Sequence, residues 1–363
     1  MSYLLAIATA TPRYCHSQED LAAFYCRTIP GDAHTQRKIR ILAQKSGIAQ
    51  RYSVLPDYAL PVADYTFFEK NTELEPMPLL SRRMARFQPE ALALSLDAVR
   101  RLPDWERLRR RISHIITVTC TGLFAPGLDI DLLEALELAP STSRSGINFM
   151  GCNAAVLALK QAHQICRSEP GATVLIVCTE LCTLHFQKSY TDDYLVSNLL
   201  FADGSAAAVV SSEATALPES FGPVEITGFR SLVIGEGRSD MAWRLSEEGF
   251  LMNLSSYVSP LLNTHLPHLL QDMGLDVDKP RHLALHPGGK RILDDFCHTL
   301  HVDRAQLRAS YEVLAQYGNM SSATLLFVVL RLLETTAMQA GDTLFAAAFG
   351  PGLNIETATM RYV

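Results

Sequence analysis

Short β-branched runs that end in glycine-bearing turns and lead into small-residue helices occur in both halves of this chain. Ile115–Thr119 ends in Cys120-Thr-Gly122, followed by Ala125-Pro-Gly127. The run Gly146–Met150 meets Gly151, beyond which Ala154, Ala155, Leu157, Ala158 and Leu159 set a helical stripe. Ala172–Glu180 is another apolar strand, with Cys182 and His185 just past its end. In the second half His282–Leu285 stops at His286-Pro-Gly-Gly289, before a helix over Lys290–Leu300. Leu344–Ala348 stops at Phe349-Gly-Pro-Gly352, and Asn354–Tyr362 returns as a last strand. Uniformly apolar runs of this length read as strands buried on both faces, and their alternation with helices predicts an α/β architecture. Pro218, Gly222 and Pro223 mark the best internal boundary, which divides the chain into 1–220 and 221–363. The same strand–turn–helix grammar on both sides predicts an internal duplication.

Between these units the pattern is plainer. Residues 3–9 read as a strand and 17–28 as a helix begun by Ser17, with Glu19 and Asp20 in its first turn. A helical pattern over 36–51 carries Arg37, Lys38, Arg40, Lys45 and Arg51, either a solvated face or a receiver for an anionic substrate. Residues 55–80 hold four prolines and read as an irregular excursion. A helix follows over Pro89–Leu102, and a shorter one over Asp129–Leu138. Tyr317-Gly-Asn319-Met-Ser-Ser322 opens the long apolar helix Ala323–Thr336.

With 363 residues, 48% hydrophobic and 19% charged, the chain can bury a large core. A net charge of −6 offers no general basic surface, so nucleic acid is not an expected partner. The eight cysteines form neither CxxC pairs nor metal-type Cys/His spacings, and no metal is expected. Met1–Thr11 has no charged leader and runs into Pro12, which predicts a first strand, not a signal peptide. Ala323–Leu333 is too short to span a bilayer. Reduced thiols and a cytoplasmic location follow as expectations.

Three residues at strand–helix junctions carry possible chemistry. Cys152, at the first residues of a helix, meets unpaired N–H groups and the positive dipole end, which favour a thiolate; otherwise it is a small buried hydrophobe. His286 sits between a strand and Pro-Gly-Gly, as a site residue or a structural one. Asn319 either caps the helix behind it or faces a site. Strand–helix junctions converge at one edge of an α/β sheet. A cysteine nucleophile needs a base, and an acyl thioester needs donors for its oxyanion, a set that Cys, His and Asn together supply.

Five ordered stretches carry a resemblance: MGCNAA at 150–155, LFADGSAA at 200–207, HPGGKRILD at 286–294, YGNMSSATLLF at 317–327 and FGPGLNIET at 349–357. Together they resemble the type III polyketide synthases, the chalcone synthase-like family of the thiolase fold, and Cys120-Thr-Gly is similar to the bacterial members. The resemblance implies a five-layered αβαβα fold of two similar halves in a homodimer. It implies Cys152 as the acyl-carrying nucleophile, with His286 and Asn319 completing the triad. Phe201 matches a gatekeeper aromatic, and Met252 stands where plant members carry a second. Lys38 and Lys45 match basic positions that meet coenzyme A phosphates. His185 and Trp243 depart from the plant residues that line the cavity. Thr121, Ala125 and Cys182 match positions edging a tunnel for long acyl chains, while Glu180, Cys120 and Ser321 match residues that hold a water for aldol cyclisation. The implied reaction loads an acyl-CoA starter, extends it with malonyl-CoA and cyclises it, expected here to give an alkylresorcinol or alkylpyrone from a fatty starter. No cofactor beyond the coenzyme A thioesters is implied. A small-starter or malonyl-primed synthase, a single-round ketoacyl synthase and a non-catalytic subunit of the same fold are the alternatives.

Overall fold

The computed structural model describes the chain except residues 30, 219, 255–257, 259, 262, 263 and 266–281. The first half runs β1 (Tyr3–Ala10), β2 (Tyr14–Ser17), α1 (Gln18–Thr28), α2 (Ala33–Lys45), β3 (Gln50–Ser53), α3 (Leu80–Arg100) and α4 (Trp105–Leu108). It continues with β4 (His114–Thr119), α5 (Leu128–Ala135), β5 (Ser143–Asn148), α6 (Ala154–Ser168), β6 (Thr173–Leu181), α7 (Asp192–Leu200) and β7 (Asp203–Ser211). The second half comprises β8 (Val224–Val233), the hairpin β9 (Met241–Ser246) and β10 (Gly249–Leu254), β11 (His282–Leu285) and α8 (Lys290–Leu300). It ends with α9 (Arg308–Tyr317), α10 (Thr324–Thr335), β12 (Thr343–Gly350) and β13 (Asn354–Tyr362).

Nine strands form one sheet in the order β11-β12-β13-β8-β1-β7-β6-β4-β5. The halves join where Tyr3 and Leu4 of β1 pair with Glu225 and Val224 of β8. On either side of that seam the pairing sense repeats. β1–β7 and β7–β6 are antiparallel and β6–β4 is parallel. Likewise β8–β13 and β13–β12 are antiparallel and β12–β11 is parallel. This is the repeated unit that the sequence grammar suggested.

Strand alternation distributes the side chains among three cores, because successive residues face opposite sides of a sheet. Leu175 and Val177 of β6 pack with Phe87, Ala91 and Leu94 of α3. Val174 and Ile176 turn the other way, onto Ala155, Ala158 and Leu159 of α6 and Leu325 and Val329 of α10. That central layer also receives Leu344, Ala346 and Ala348 of β12, whereas Phe345 and Ala347 face Leu293 and Phe296 of α8. The result is helix, sheet, helix, sheet, helix. α6 is rich in alanine and α10 in leucine and valine because both pack between the two halves of the sheet, and their exposed residues (Gln164, Arg167, Ser168, Glu334, Thr335) lie toward their C-terminal ends.

The helix at 17–28 forms as expected, Ser17 accepting a 3.0 Å bond from the Asp20 amide. Two expectations need correction. α2 ends at Lys45, and Arg51 lies on β3, 2% exposed, not on a basic helical face. Its guanidinium donates to Gln18 Oε1 at 3.0 Å and Asn198 O at 2.8 Å, and also to Phe201 O. The buried charge is thus held by oxygen acceptors around the turn at the end of α7. α3 starts at Leu80, with Pro89 inside it. Pro89 and Ala85, whose carbonyl the proline cannot meet, are both exposed, so water takes over the missing hydrogen bond.

Gly318 packs on Arg51. It has φ +71°, and a Cβ there would lie 2.8 Å from Arg51 Cδ and 3.0 Å from Leu200 O. Gly318→Ala is therefore expected to destabilise the fold by roughly 1–3 kcal/mol, through left-handed strain and contact with a buried guanidinium. Urea unfolding would read this as a lower midpoint, and an unchanged midpoint would refute the packing described.

Candidate active site

The turns beyond β4, β6, β11 and β12 converge with the Phe149–Cys152 and Gly318–Ser322 segments on one cavity of about 580 Å³, mouth included. Gly151 has φ +88°, and a Cβ on it would sit 1.9 Å from Pro351 Cδ. The turn carrying Cys152 thus lies directly on the turn after β12, which explains why both are glycine-rich. α6 begins at Ala154 with Asn153 at its cap, so Cys152 precedes the helix by two residues.

The electrostatics differ from the expectation of a dipole-stabilised thiolate. Burial pushes the Cys152 thiol up to about 12, with the nearby Ser321 hydroxyl and Asn319 amide opposing the shift and the Glu180 charge adding to it. His286, 1% exposed, is pushed down to about 3 by burial alone. Each group taken singly is held uncharged. The backbone of His286 is fixed by its N–H donating to Ala347 O at 2.8 Å, while neither ring nitrogen has a partner among the described residues. An unpartnered imidazole on the cavity wall is placed to exchange a proton with, or donate to, whatever occupies the cavity.

Asn319 is fixed from three sides. Its N–H donates to Leu200 O at 3.0 Å and its carbonyl accepts from Ala202 N at 2.9 Å. Its side-chain oxygen accepts from Ser321 N at 2.8 Å, which leaves the amide nitrogen as the end available to the cavity that Cys152 also lines. The local turn role and the site-facing role therefore belong to the two ends of one side chain.

Glu180 is fully buried and raised by desolvation. It accepts from Cys120 N at 2.9 Å and Thr121 Oγ1 at 2.8 Å, and from the Ser322 hydroxyl. Within the sequence grouping of Glu180, Cys120 and Ser321, the direct bond is the one from Cys120 N to the carboxylate. Ser322 bonds the carboxylate, while Ser321, at φ +48°, lines the cavity with Cys152. Burial and the Glu180 charge hold the Cys120 thiol protonated, and its sulfur accepts from Gly151 N at 3.0 Å.

Cys182, Phe201, Trp243 and Met252 line this cavity and also a second one of about 410 Å³ behind it. Trp243 and Met252 face each other across the β9–β10 pair, and the indole N–H donates to Cys120 O at 2.7 Å. His185 lines the second cavity but is spent as a clip: Nε2 donates to Thr121 O at 2.7 Å and Nδ1 accepts from Phe250 N at 3.1 Å. Its ring stacks on Phe250 at 4.4 Å, and burial lowers it to about 3. Ala125 is not brought to either cavity; it is exposed on the loop after β4. Lys38 and Lys45 are at the surface on α2, Lys38 paired with Asp192 of α7 and Lys45 exposed near the end that abuts Lys290.

The β9–β10 hairpin went unread in the sequence, and with it the wall residue Met241. Its signal was the alternation Met241, Trp243, Leu245 and the turn Glu247-Glu248-Gly249. Ile292, Phe349 and Pro351 also line the cavity, in motifs noted only for their polar neighbours.

Comparison with known proteins agrees with this geometry. The N-terminal domain of the chalcone and stilbene synthases matches residues 1–214, and the C-terminal domain of the same family matches 229–363. The chain is similar to the C-terminal type III polyketide synthase domain of Steely1 from Dictyostelium, a type I/III hybrid. That match has 26% identity and TM-score 0.90 and covers 100% of this chain and 99% of that one. It is also similar to 1,3,6,8-tetrahydroxynaphthalene synthase from Streptomyces coelicolor, with 27% identity, TM-score 0.86 and 99% of each chain covered. "Probable polyketide synthase 1" of Dictyostelium discoideum is 28% identical over the whole chain, which spans 11% of that relative's length. Fold and site thus define a thiolase-fold enzyme of the acyltransferase type. The chain belongs to the chalcone and stilbene synthase family, the type III polyketide synthases. No helix among the described residues is long and apolar enough to cross a membrane.

Among the described residues no other imidazole or amine lines the cavity, so Cys152 in His286→Ala keeps a thiol pushed toward about 12. Its alkylation by iodoacetamide at pH 7 is expected to fall by about a hundredfold or more against wild type. The variant should recover by roughly tenfold per pH unit as the thiolate forms. Peptide mass spectrometry would follow the modification, and equal rates at pH 7 would show that His286 takes no proton from the thiol.

Proposed function

We propose that this chain is a type III polyketide synthase that loads an acyl-CoA starter on Cys152, extends it with malonyl-CoA and cyclises the product. The observation that carries the reading is one cavity lined by Cys152, the unpartnered His286 ring and Asn319, whose side-chain oxygen is taken by Ser321 N so that its amide nitrogen remains to donate.

Cys152 gives its proton to His286 and attacks the starter thioester; coenzyme A leaves and the imidazolium returns the proton. His286 and Asn319 then donate to the thioester oxygen of malonyl-CoA. Carbon dioxide departs and the electron pair of the broken C–C bond becomes the enolate, stabilised by neutral donors in a water-poor cavity. The enolate carbon attacks the Cys152 acyl carbonyl, which regenerates the thiolate and lengthens the chain by two carbons. Coenzyme A thioesters are the only cofactor-like groups this scheme uses. Lys38 and Lys45 meet the coenzyme A phosphates at the surface. Chain division near residue 220, a homodimer and a cytoplasmic location belong to the same reading. β5 is an edge strand of the sheet, which supports pairing with a second copy.

For the starter we take an aliphatic acyl chain. The first cavity is walled mainly by apolar side chains, among them Met241, Ile292 and Phe349. The chain passes Cys182 to the second cavity; the exposed Ala125 takes no part. Trp243 narrows the cyclisation end, which favours a resorcinol over a pyrone.

Cys152→Ala is expected to abolish extension while Asn319→Ala spares acyl loading and slows malonyl-CoA decarboxylation. One lost donor of this kind raises a barrier by roughly 2.7–4 kcal/mol. Intact-protein mass spectrometry reads the loading, and carbon dioxide release reads the second step. Equal losses in both would reduce Asn319 to a loop brace. A panel of starter-CoAs with malonyl-CoA, read by product mass, tests the rest: a wild type that ignores aliphatic chains but uses malonyl or aromatic starters overturns the starter assignment.

A further inference from the structure

Ser197 lies on α7, 7% exposed, on the wall of the second cavity. A buried serine in a helix ordinarily bonds back to the carbonyl one turn earlier. The Ser197 hydroxyl does not; it has no hydrogen-bond partner among the described residues. Leaving a buried hydroxyl unbonded is costly, and the cost is removed when a ligand supplies the partner.

Two phenols on the wall of the same cavity complete the pattern. Tyr25 OH donates to Asn198 O at 2.6 Å, and Tyr58 OH donates to Thr183 O at 2.8 Å. Both phenols spend their hydrogen on the backbone, so their oxygens offer the cavity acceptors only. The second cavity therefore presents the unpartnered Ser197 hydroxyl and two phenolic acceptor oxygens, with the Tyr194 phenol also on its wall, next to an apolar first cavity. Its partition consists of Cys182, Phe201, Trp243 and Met252. In a chain lengthened at its thioester end, the starter's far end is the part displaced away from Cys152. That end is what reaches beyond the partition.

We propose that the second cavity is a subsite for the starter's remote end and that the starter is an aliphatic acyl-CoA bearing a hydroxyl there. A hydroxyl matches because it both accepts from Ser197 and donates to a phenolic oxygen; a methyl end does neither, and a ketone only accepts. This rests on Cys152 carrying the acyl chain.

The experiment pairs octanoyl-, decanoyl- and dodecanoyl-CoA with their terminally hydroxylated counterparts on wild type, Ser197→Ala and Ser197→Thr. Binding is measured by calorimetry without malonyl-CoA, and extension by product mass with it. At one or more lengths the hydroxylated starter is expected to bind wild type at least about tenfold more tightly. Sites built to bond a hydroxyl discriminate strongly against analogues lacking it. Ser197→Ala should abolish that preference and Ser197→Thr should keep part of it. Because the hydroxyl has no protein partner, Ser197→Ala should melt no lower than wild type, so lost preference cannot be laid to misfolding. No preference at any length, or one that survives Ser197→Ala, overturns the subsite. A Ser197-dependent preference without extension keeps the subsite and overturns the synthase reading; extension without preference does the reverse.

Discussion

A single buried carboxylate ties the two halves together at the place where they must meet. Glu180 stands at the end of β6 and takes bonds from Cys120 N and Thr121 Oγ1 beyond β4, and from Ser322 of the second half. Removing a carboxylate from water costs several kcal/mol unless donors replace the solvent, and these donors oppose the rise that desolvation causes. Their convergence sets the spacing between the Cys120 and Ser321–Ser322 turns, and thereby the height of the cavity. Hydrogen bonds from Asn319 N to Leu200 O and from Ala202 N to Asn319 O join the halves a second time, next to Phe201. A shift in either tie would move Asn319 and the Cys152 wall relative to each other.

The same carboxylate has an electrostatic consequence. Its charge adds to burial in holding Cys120, Cys152 and Cys182 protonated. Three thiols line one cavity, yet only at Cys152 do side-chain groups, Ser321 and Asn319, work against the rise. Selectivity among the cysteines thus arises from donors and from the imidazole sharing the cavity, not from a helix end. Proton transfer from Cys152 to His286 makes two opposite charges together, and their attraction in a low-dielectric site offsets much of the desolvation that each would meet alone.

Much of the fold was legible because periodicity and turn chemistry are local. The strands at 282–285 and 354–362 and the helix at 290–300 lie where the apolar runs and glycines put them. The triad was legible as three side chains at strand–helix junctions, and the cavity does bring Cys152, His286 and Asn319 together. What failed depended on partners distant in sequence. Arg51 reads as one more base in a basic run, and only Gln18, Asn198 and Phe201 explain its burial. Pro89 reads as a helix start because its exposure on a helix already begun at Leu80 is a tertiary fact. Ser321 and Ser322 are indistinguishable as letters; only the fold shows that Ser322 is the one bonded to the Glu180 carboxylate.

The two cavities acquire their meaning from the direction of chain growth. Each condensation inserts two carbons at the thioester, so reactive carbonyls stay near Cys152 while the starter recedes. An apolar chamber next to the sulfur gives those carbonyls few donors besides His286 and Asn319, which keeps the electrophilic end from being held anywhere else. The wall of Cys182, Phe201, Trp243 and Met252 then separates the end that reacts from the end that is only stored. Trp243 is fixed by its bond to Cys120 O and Phe201 by Arg51 at its carbonyl, whereas Met252 is an unbranched, adaptable side chain. A wall with two fixed aromatics and one pliable member can let a chain pass while keeping the shape of the chamber in front of it. In the proposed reaction, chain length and ring closure would thus be controlled by different residues, the first by the space beyond the wall and the second by the space before it.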